Sequence, residues 1–252
     1  MNEQSFQFFL RFHHGVPRKG PGTAAATADA FRRIAPLLPP SPAILDVGCG
    51  NGAQTLTLAD LTAGTLLAID SYPVFIEELR QRLSAGGLRA RVSAQVGDMK
   101  ALGLAPGSFD LIWSEGALFI LGFELGLRTL RPLLRGPGLV VVTDATWLAP
   151  REEVPPAVRA FWDEAYPAMT DVAGNLALAR QAGYTVLDHF TLPVEGWAAY
   201  VDPLERRMNE VLAEHPGDPD AEEAARAERR EFAMFRENLR YFGYEFFLLR
   251  RT

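Results

Sequence analysis

The chain has 252 residues and a formal charge of −6, with 48% hydrophobic and 22% charged side chains, which is the balance of a folded domain and too acidic to favour nucleic acid as the main partner. No apolar run reaches the roughly 18–20 residues of a membrane span, and the start MNEQSFQFFLRFHH lacks the basic region and small-residue cleavage site of a secretory leader. Cys49 is the single cysteine, which excludes an internal disulfide and a cysteine metal cluster, so a cytoplasmic protein is expected.

In chain order, an aromatic-rich arm (Phe6, Phe8, Phe9, Phe12) leads to Lys19-Gly20-Pro21-Gly22-Thr23 and a helix carrying Ala28, Phe31 and Ile34. Thr23 reads as its N-cap, and the free N–H groups at such a helix start can hold a carboxylate. Seven strands are predicted: Ala43–Val47, Thr65–Ile69, Arg91–Val96, Phe109–Trp113, Leu139–Thr143, Tyr184–Leu192 and Tyr244–Arg250. Between them, Phe75, Leu79 and Leu83 mark one helix, stopped by Gly86-Gly87. Phe123, Leu127, Leu130 and Leu134 mark another. Strands alternating with helices imply a doubly wound, mostly parallel α/β sheet with right-handed crossovers. No repeat or linker divides the chain, so one domain is expected over 1–252. The arm 1–40 and the helical insertions 147–182 and 194–243 would form a lid above the strand ends, where ligands bind in open α/β sheets.

The most informative stretch is AILDVGCGNG, Ala43–Gly52. A short apolar strand carrying Asp46 runs into Gly48, Gly50 and Gly52, and Cys49 between them reads as a small packing residue. Glycine at these positions permits positive φ and close approach of a ligand. The spacing differs from the G-x-G-x-x-G of dinucleotide-binding loops. The second strand ends at Asp70-Ser71, where an acid can accept hydrogen bonds from ribose hydroxyls. Together these residues resemble motif I and the acidic strand tip of the class I S-adenosylmethionine (SAM)-dependent methyltransferases. The resemblance implies a Rossmann-like seven-stranded sheet with an antiparallel last strand beside the fifth. It also implies SAM as cofactor and S-adenosylhomocysteine (SAH) as product.

Further segments carry the resemblance along the chain. Asp98-Met99 stands where family members hold and cover the adenine. Ser114-Glu115-Gly116, inside FDLIWSEGALFILG, resembles motif IV of small-molecule methyltransferases. It departs from the N/D-P-P-Y form of enzymes that methylate DNA bases or glutamine. Gly20, Gly22 and Thr23 resemble a segment that closes over SAM in UbiE-like small-molecule methyltransferases. The order of Trp162, Tyr166, Trp197 and Tyr200 is similar to the same subgroup.

The expected cofactor-binding residues are therefore Gly20, Gly22, Thr23, Asp46, Gly48, Cys49, Gly50, Gly52, Asp70, Ser71, Asp98, Met99, Ser114, Glu115 and Gly116. Phe119, Trp147, Trp162, Tyr166, Trp197 and Tyr200 are candidates for an apolar acceptor pocket. Glu115, His13 and His14 are candidate general bases, with His189 a weaker one; a neutral-range base is most naturally a histidine. None of the histidines has metal-ligand spacing, so no metal is expected. The reading is methyl transfer to a small molecule by a monomer or homodimer without nucleic-acid or membrane partners. Two rivals remain: a non-catalytic SAM- or SAH-binding module, and an NAD-dependent oxidoreductase, which the glycine spacing and the lack of a Tyr-x-x-x-Lys pair disfavour.

Overall fold

The computed structural model describes residues 2–252. Its seven strands are β1 (Ala43–Val47), β2 (Thr65–Asp70), β3 (Val92–Val96), β4 (Phe109–Ser114), β5 (Leu134–Trp147), β6 (Tyr184–Thr191) and β7 (Phe242–Arg251), in the order β3-β2-β1-β4-β5-β7-β6. β1 to β5 pair in parallel, and β7 runs antiparallel between β5 and β6, the arrangement expected from the sequence. β5 is longer than its apolar run suggests. Its ladder with β7 continues from Leu139 opposite Arg250 to Trp147 opposite Phe242, so a cross-strand partner carries the strand past the end of its own local signal.

Alternate strand residues face opposite layers. Ile44, Leu66, Leu111, Val141 and Phe246 join one apolar core, while Leu45, Val47, Ile112, Val140 and Phe247 join the other. Both faces of the sheet are covered by helices, which is why β1 and β4 read as almost unbroken apolar runs. Helices α2 (Ala24–Ile34), α3 (Ala53–Leu61), α4 (Pro73–Ala85) and α5 (Phe123–Leu130) flank the sheet.

The remaining helices are α1 (Glu3–His13), α6 (Pro156–Ala165), α7 (Val172–Gln181), α8 (Glu195–Glu214) and α9 (Pro219–Asn238). α1 packs against both α8 and α9, forming a helical cap built from the N-terminal arm and the last insertion. Phe8 and Phe12 are buried in it, so most of the aromatic arm faces its own chain. The insertion 147–182 is not all lid. α7 packs on β6 and α5, and its Ala179 lies with Leu127, Leu130 and Tyr184 in the core of a sheet face. It is the crossover helix that β6 requires.

Candidate functional site

The chain leaves β1 at Val47 and turns through glycines with φ of +71° at Gly48, +54° at Gly50 and +79° at Gly52. A Cβ on Gly48 would stand 2.2 Å from the Ala117 Cβ, so glycine lets the segment after β4 come down against the loop. The loop is tied to the tip of β2. The Gly48 and Cys49 N–H groups donate to the Ile69 carbonyl at 2.8 and 3.0 Å, and the Gly50 N–H donates to Asp70 Oδ2 at 2.8 Å. Asp70 Oδ1 accepts from the Tyr72 N–H at 2.9 Å. Burial pushes the Asp70 carboxyl above the usual range, against the pull of the N–H groups of Tyr72 and Gly50. Two backbone donors leave about half of its acceptor positions free for a ligand.

Above this tip lies a cavity of about 320 Å³ lined by Gly48, Cys49, Gly50, Asp70, Glu115, Gly116 and Ala117 at its floor. Arg18, Lys19, Gly20 and Pro21 line it too, and Phe9, His13, Tyr200, Glu231, Phe235 and Tyr244, from α1, α8, α9 and β7, complete the lining with Phe119. A smaller cavity of about 80 Å³ adjoins it across Asp70 and Ala117. Ser71, Asp98, Met99 and Ile120 line this second space.

The segment 15–22 forms the side wall because side chains of the glycine loop and α4 hold it down. Asn51, in the glycine loop, donates to the Val16 carbonyl at 2.8 Å, and Glu78 Oε1 accepts from the Gly15 N–H at 3.1 Å. Lys19 Nζ donates to Glu78 Oε2 at 2.9 Å and sits 4.7 Å from the Phe75 ring centre. Arg18 donates to Glu115 Oε2 at 2.7 Å in a buried ion pair. Both wall cations are thus paired with acids of the chain itself.

Glu115 is more heavily engaged than a proton acceptor should be. Thr27 donates to its Oε1 at 2.6 Å and the Trp113 indole at 2.9 Å, in addition to Arg18 on Oε2. The geometry is that of a carboxylate locking α2, β4 and the N-terminal segment together. His13 lies at the wall, 2% exposed. Its Nδ1 faces the Phe9 carbonyl at 2.9 Å and must donate, which leaves Nε2 to accept from the Tyr200 hydroxyl at 3.2 Å. Burial pushes the His13 imidazole down to about 4, so it is neutral at pH 7 and a weak base. His14 corrects the sequence reading. It pairs with Glu78 Oε1 at 2.9 Å on the outer side, is largely exposed, and is not at the cavity wall. His189 is on β6 beside Glu245 at 2.6 Å, also away from the cavity.

Of the six aromatic candidates, Phe119 and Tyr200 line the cavity and four do not. Trp162 and Trp197 pack edge-on against Phe242, with ring centres 4.9 and 5.8 Å away, so they support the wall from behind. Tyr166 donates to Asp144 Oδ2 at 3.0 Å and accepts from the Phe123 N–H. Trp147 is buried in the core under the Arg151 guanidinium. The order of these residues along the chain matched the resembled subgroup, but four of the rings pack into the protein's own core instead of the cavity.

Several expected cofactor contacts prove to be supports rather than wall. Asp46 is fully buried and accepts from Gln54 at 3.2 Å and Thr55 at 2.5 Å, clamping β1 to α3. Burial pushes its carboxyl up to about 7. Gly52 begins α3 where a Cβ would strike Leu79. Thr23 caps α2 by accepting from the Ala26 N–H at 3.0 Å, and the Gly22 N–H donates to the Gly196 carbonyl at 2.9 Å. Ser114 is fully buried at the end of β4. None of these five lines either cavity. The expectations that do line one of them are Gly20, Gly48, Cys49, Gly50, Asp70, Ser71, Asp98, Met99, Glu115 and Gly116.

A family described as a methyltransferase domain matches residues 44–138, the span from β1 into β5 that carries the glycine loop, Asp70, Asp98 and Glu115. A methyltransferase of Streptomyces halstedii, GfsG, is 31% identical over 116 residues, covering 46% of this chain and 42% of that protein. The O-methyltransferase cnsE of Penicillium expansum is 28% identical over 147 residues, covering 58% of this chain and 52% of its own. The chain thus spans about half the length of these relatives or less. A SAM-dependent methyltransferase of Geobacter sulfurreducens, solved with SAH, superposes with a TM-score of 0.82 at 23% identity, covering 98% of both chains. That likeness extends the methyltransferase fold beyond the matched domain to the cap and β6–β7. No helix of the described residues is long and apolar enough to cross a membrane.

Proposed function

We propose that this chain is a SAM-dependent methyltransferase acting on a small molecule, organised as one domain of the UbiE-like subgroup and working in the cytoplasm as a monomer or homodimer. The observation that carries this reading is the convergence of the positive-φ glycine loop, the half-free Asp70 carboxylate and the Asp98–Met99 hollow around two adjoining cavities.

The residues present fit such a cofactor. Gly48 and Gly50 expose backbone that a Cβ would crowd, Asp70 offers acceptor positions for ribose hydroxyls, and Asp98 and Met99 line the smaller cavity, which supports their meeting a purine edge and face. When bound, SAM supplies a methyl group on a sulfonium sulfur. The chain's contribution is alignment and exclusion of water by the cap. His13, at a pKa of about 4, and Glu115, with three donors, are both poorly placed to act as an obligatory base.

Transfer of a labelled methyl group from SAM into a fractionated cell extract tests the reading. Label in a small-molecule fraction is the expected result. Label only in protein or nucleic acid contradicts the acceptor class. Absence of label with SAH binding intact favours a non-catalytic SAH-binding module.

A further inference from the structure

Where α9 and β7 line the cavity, two polar groups have no hydrogen-bond partner among the described residues. Glu231, on α9, lines the cavity without a hydrogen bond or ion pair to any described residue, and burial pushes its carboxyl up to about 7. The Tyr244 hydroxyl, on β7, also has no hydrogen-bond partner among the described residues, although the residue is only 9% exposed. One turn before Glu231, Glu228 is 3% exposed and its Oε2 is likewise unpartnered. Residues 228, 231, 232 and 235 share one face of α9, and Phe235 and Glu231 bring that face to the cavity wall. A native fold seldom leaves buried acids and a hydroxyl unpaired unless something else pairs them.

Charge decides what that is. The two cations of the wall, Arg18 and Lys19, are paired in charge with Glu115 and Glu78, although the buried Arg18 Nε–H keeps no hydrogen-bond partner among the described residues. A carboxylate or phosphate brought against α9 would meet the unpaired Glu231, while both lining cations already have an acid beside them. A neutral hydroxyl would satisfy hydrogen bonds but would not stabilise the ionised form of Glu231, which burial disfavours. An organic ammonium satisfies both demands, and the rings of Phe9, Tyr200, Phe235 and Tyr244 at this end suit a cation.

We propose that this end of the cavity binds an organic ammonium group, with Glu231 as its counter-ion and the Tyr244 hydroxyl as a neighbouring hydrogen-bond partner. That the ammonium belongs to the methyl acceptor rests on the methyltransferase reading above; the binding site itself does not.

Benzylamine, benzyl alcohol and benzoate share one ring and differ in charge, so ligand-observed NMR titration of each, with and without saturating SAH, tests the site. Benzylamine is expected to bind at least about tenfold tighter than benzyl alcohol, with benzoate weakest. Glu231→Gln is expected to weaken benzylamine about tenfold while leaving benzyl alcohol and SAH within about twofold, the SAH value also reporting an intact fold. Equal or tighter binding of benzoate or benzyl alcohol overturns the proposal, as does absence of binding by all three. A Glu231→Gln protein that loses SAH affinity overturns it too, because Glu231 would then serve the cofactor. Ammonium preference without any SAH binding to the unaltered protein would instead sink the cofactor reading and leave this site standing.

Discussion

Glu115→Ala is expected to destabilise the protein by about 3–5 kcal/mol, the cost of removing one partner of a buried ion pair. The Arg18 guanidinium would stay packed with its charge uncompensated, 9% exposed, beside Gly22, whose added Cβ would already strike it. The hydroxyl of Thr27 and the indole N–H of Trp113 would lose their acceptor as well. For a chain of this size the loss corresponds to a fall in Tm of roughly 6–20 °C, read by calorimetry or circular dichroism. Removing both charges together, in Arg18→Ala/Glu115→Ala, is expected to cost less than the sum of the single changes, because the pair acts as a unit. A change of under about 2 °C for Glu115→Ala would show that the N-terminal segment is not locked through this carboxylate. Glu115→Gln, which keeps the shape, should fall in between.

Asp70→Ala is expected to weaken SAH binding by about 1–3 kcal/mol, or roughly 5- to 150-fold. Two effects act in the same direction. The acceptor positions facing the cavity disappear, and the Gly50 and Tyr72 N–H groups lose the carboxylate that fixes the loop to β2. Asp70→Asn keeps an acceptor oxygen but forces an NH₂ group among N–H donors, so it should recover only part of the affinity. Calorimetric titration with SAH gives the numbers. Unchanged affinity for Asp70→Ala would remove the strand tip from the cofactor site.

The parts of this site that are legible in the sequence are those whose geometry is local. Gly48, Gly50 and Asp70 belong to a strand–turn–helix and the next strand tip, and glycine at those positions answers a backbone requirement that no neighbour can alter. The β7 insertion beside β5 followed from the family resemblance and is what the ladder Val141–Leu248 displays. The part of the cavity lined by α1, α8, α9 and β7 is different, because only their docking decides which side chains reach it. Trp197 lies one turn before Tyr200 on α8, yet it packs on Phe242, as Trp162 of α6 does, while Tyr200 meets His13.

Glu231 lies in a polar run beside Arg229 and Arg230, which reads as a solvated face. A signal was available. The stripe Phe232–Phe235, extended back by four residues, falls on Glu228 and Glu231, an acidic pair on an otherwise apolar face. Arg18 carried no comparable sign, since its role depends on an acid 97 residues away across the sheet edge.

The central claim is that the cavity over Gly48, Gly50 and Asp70 is built for SAM and its product. Calorimetric titration of the unaltered protein with SAH and, separately, with NAD tests it most directly. The account predicts saturable binding of SAH at one site per chain and no measurable binding of NAD. Binding of NAD in preference to SAH, or of neither, would contradict it.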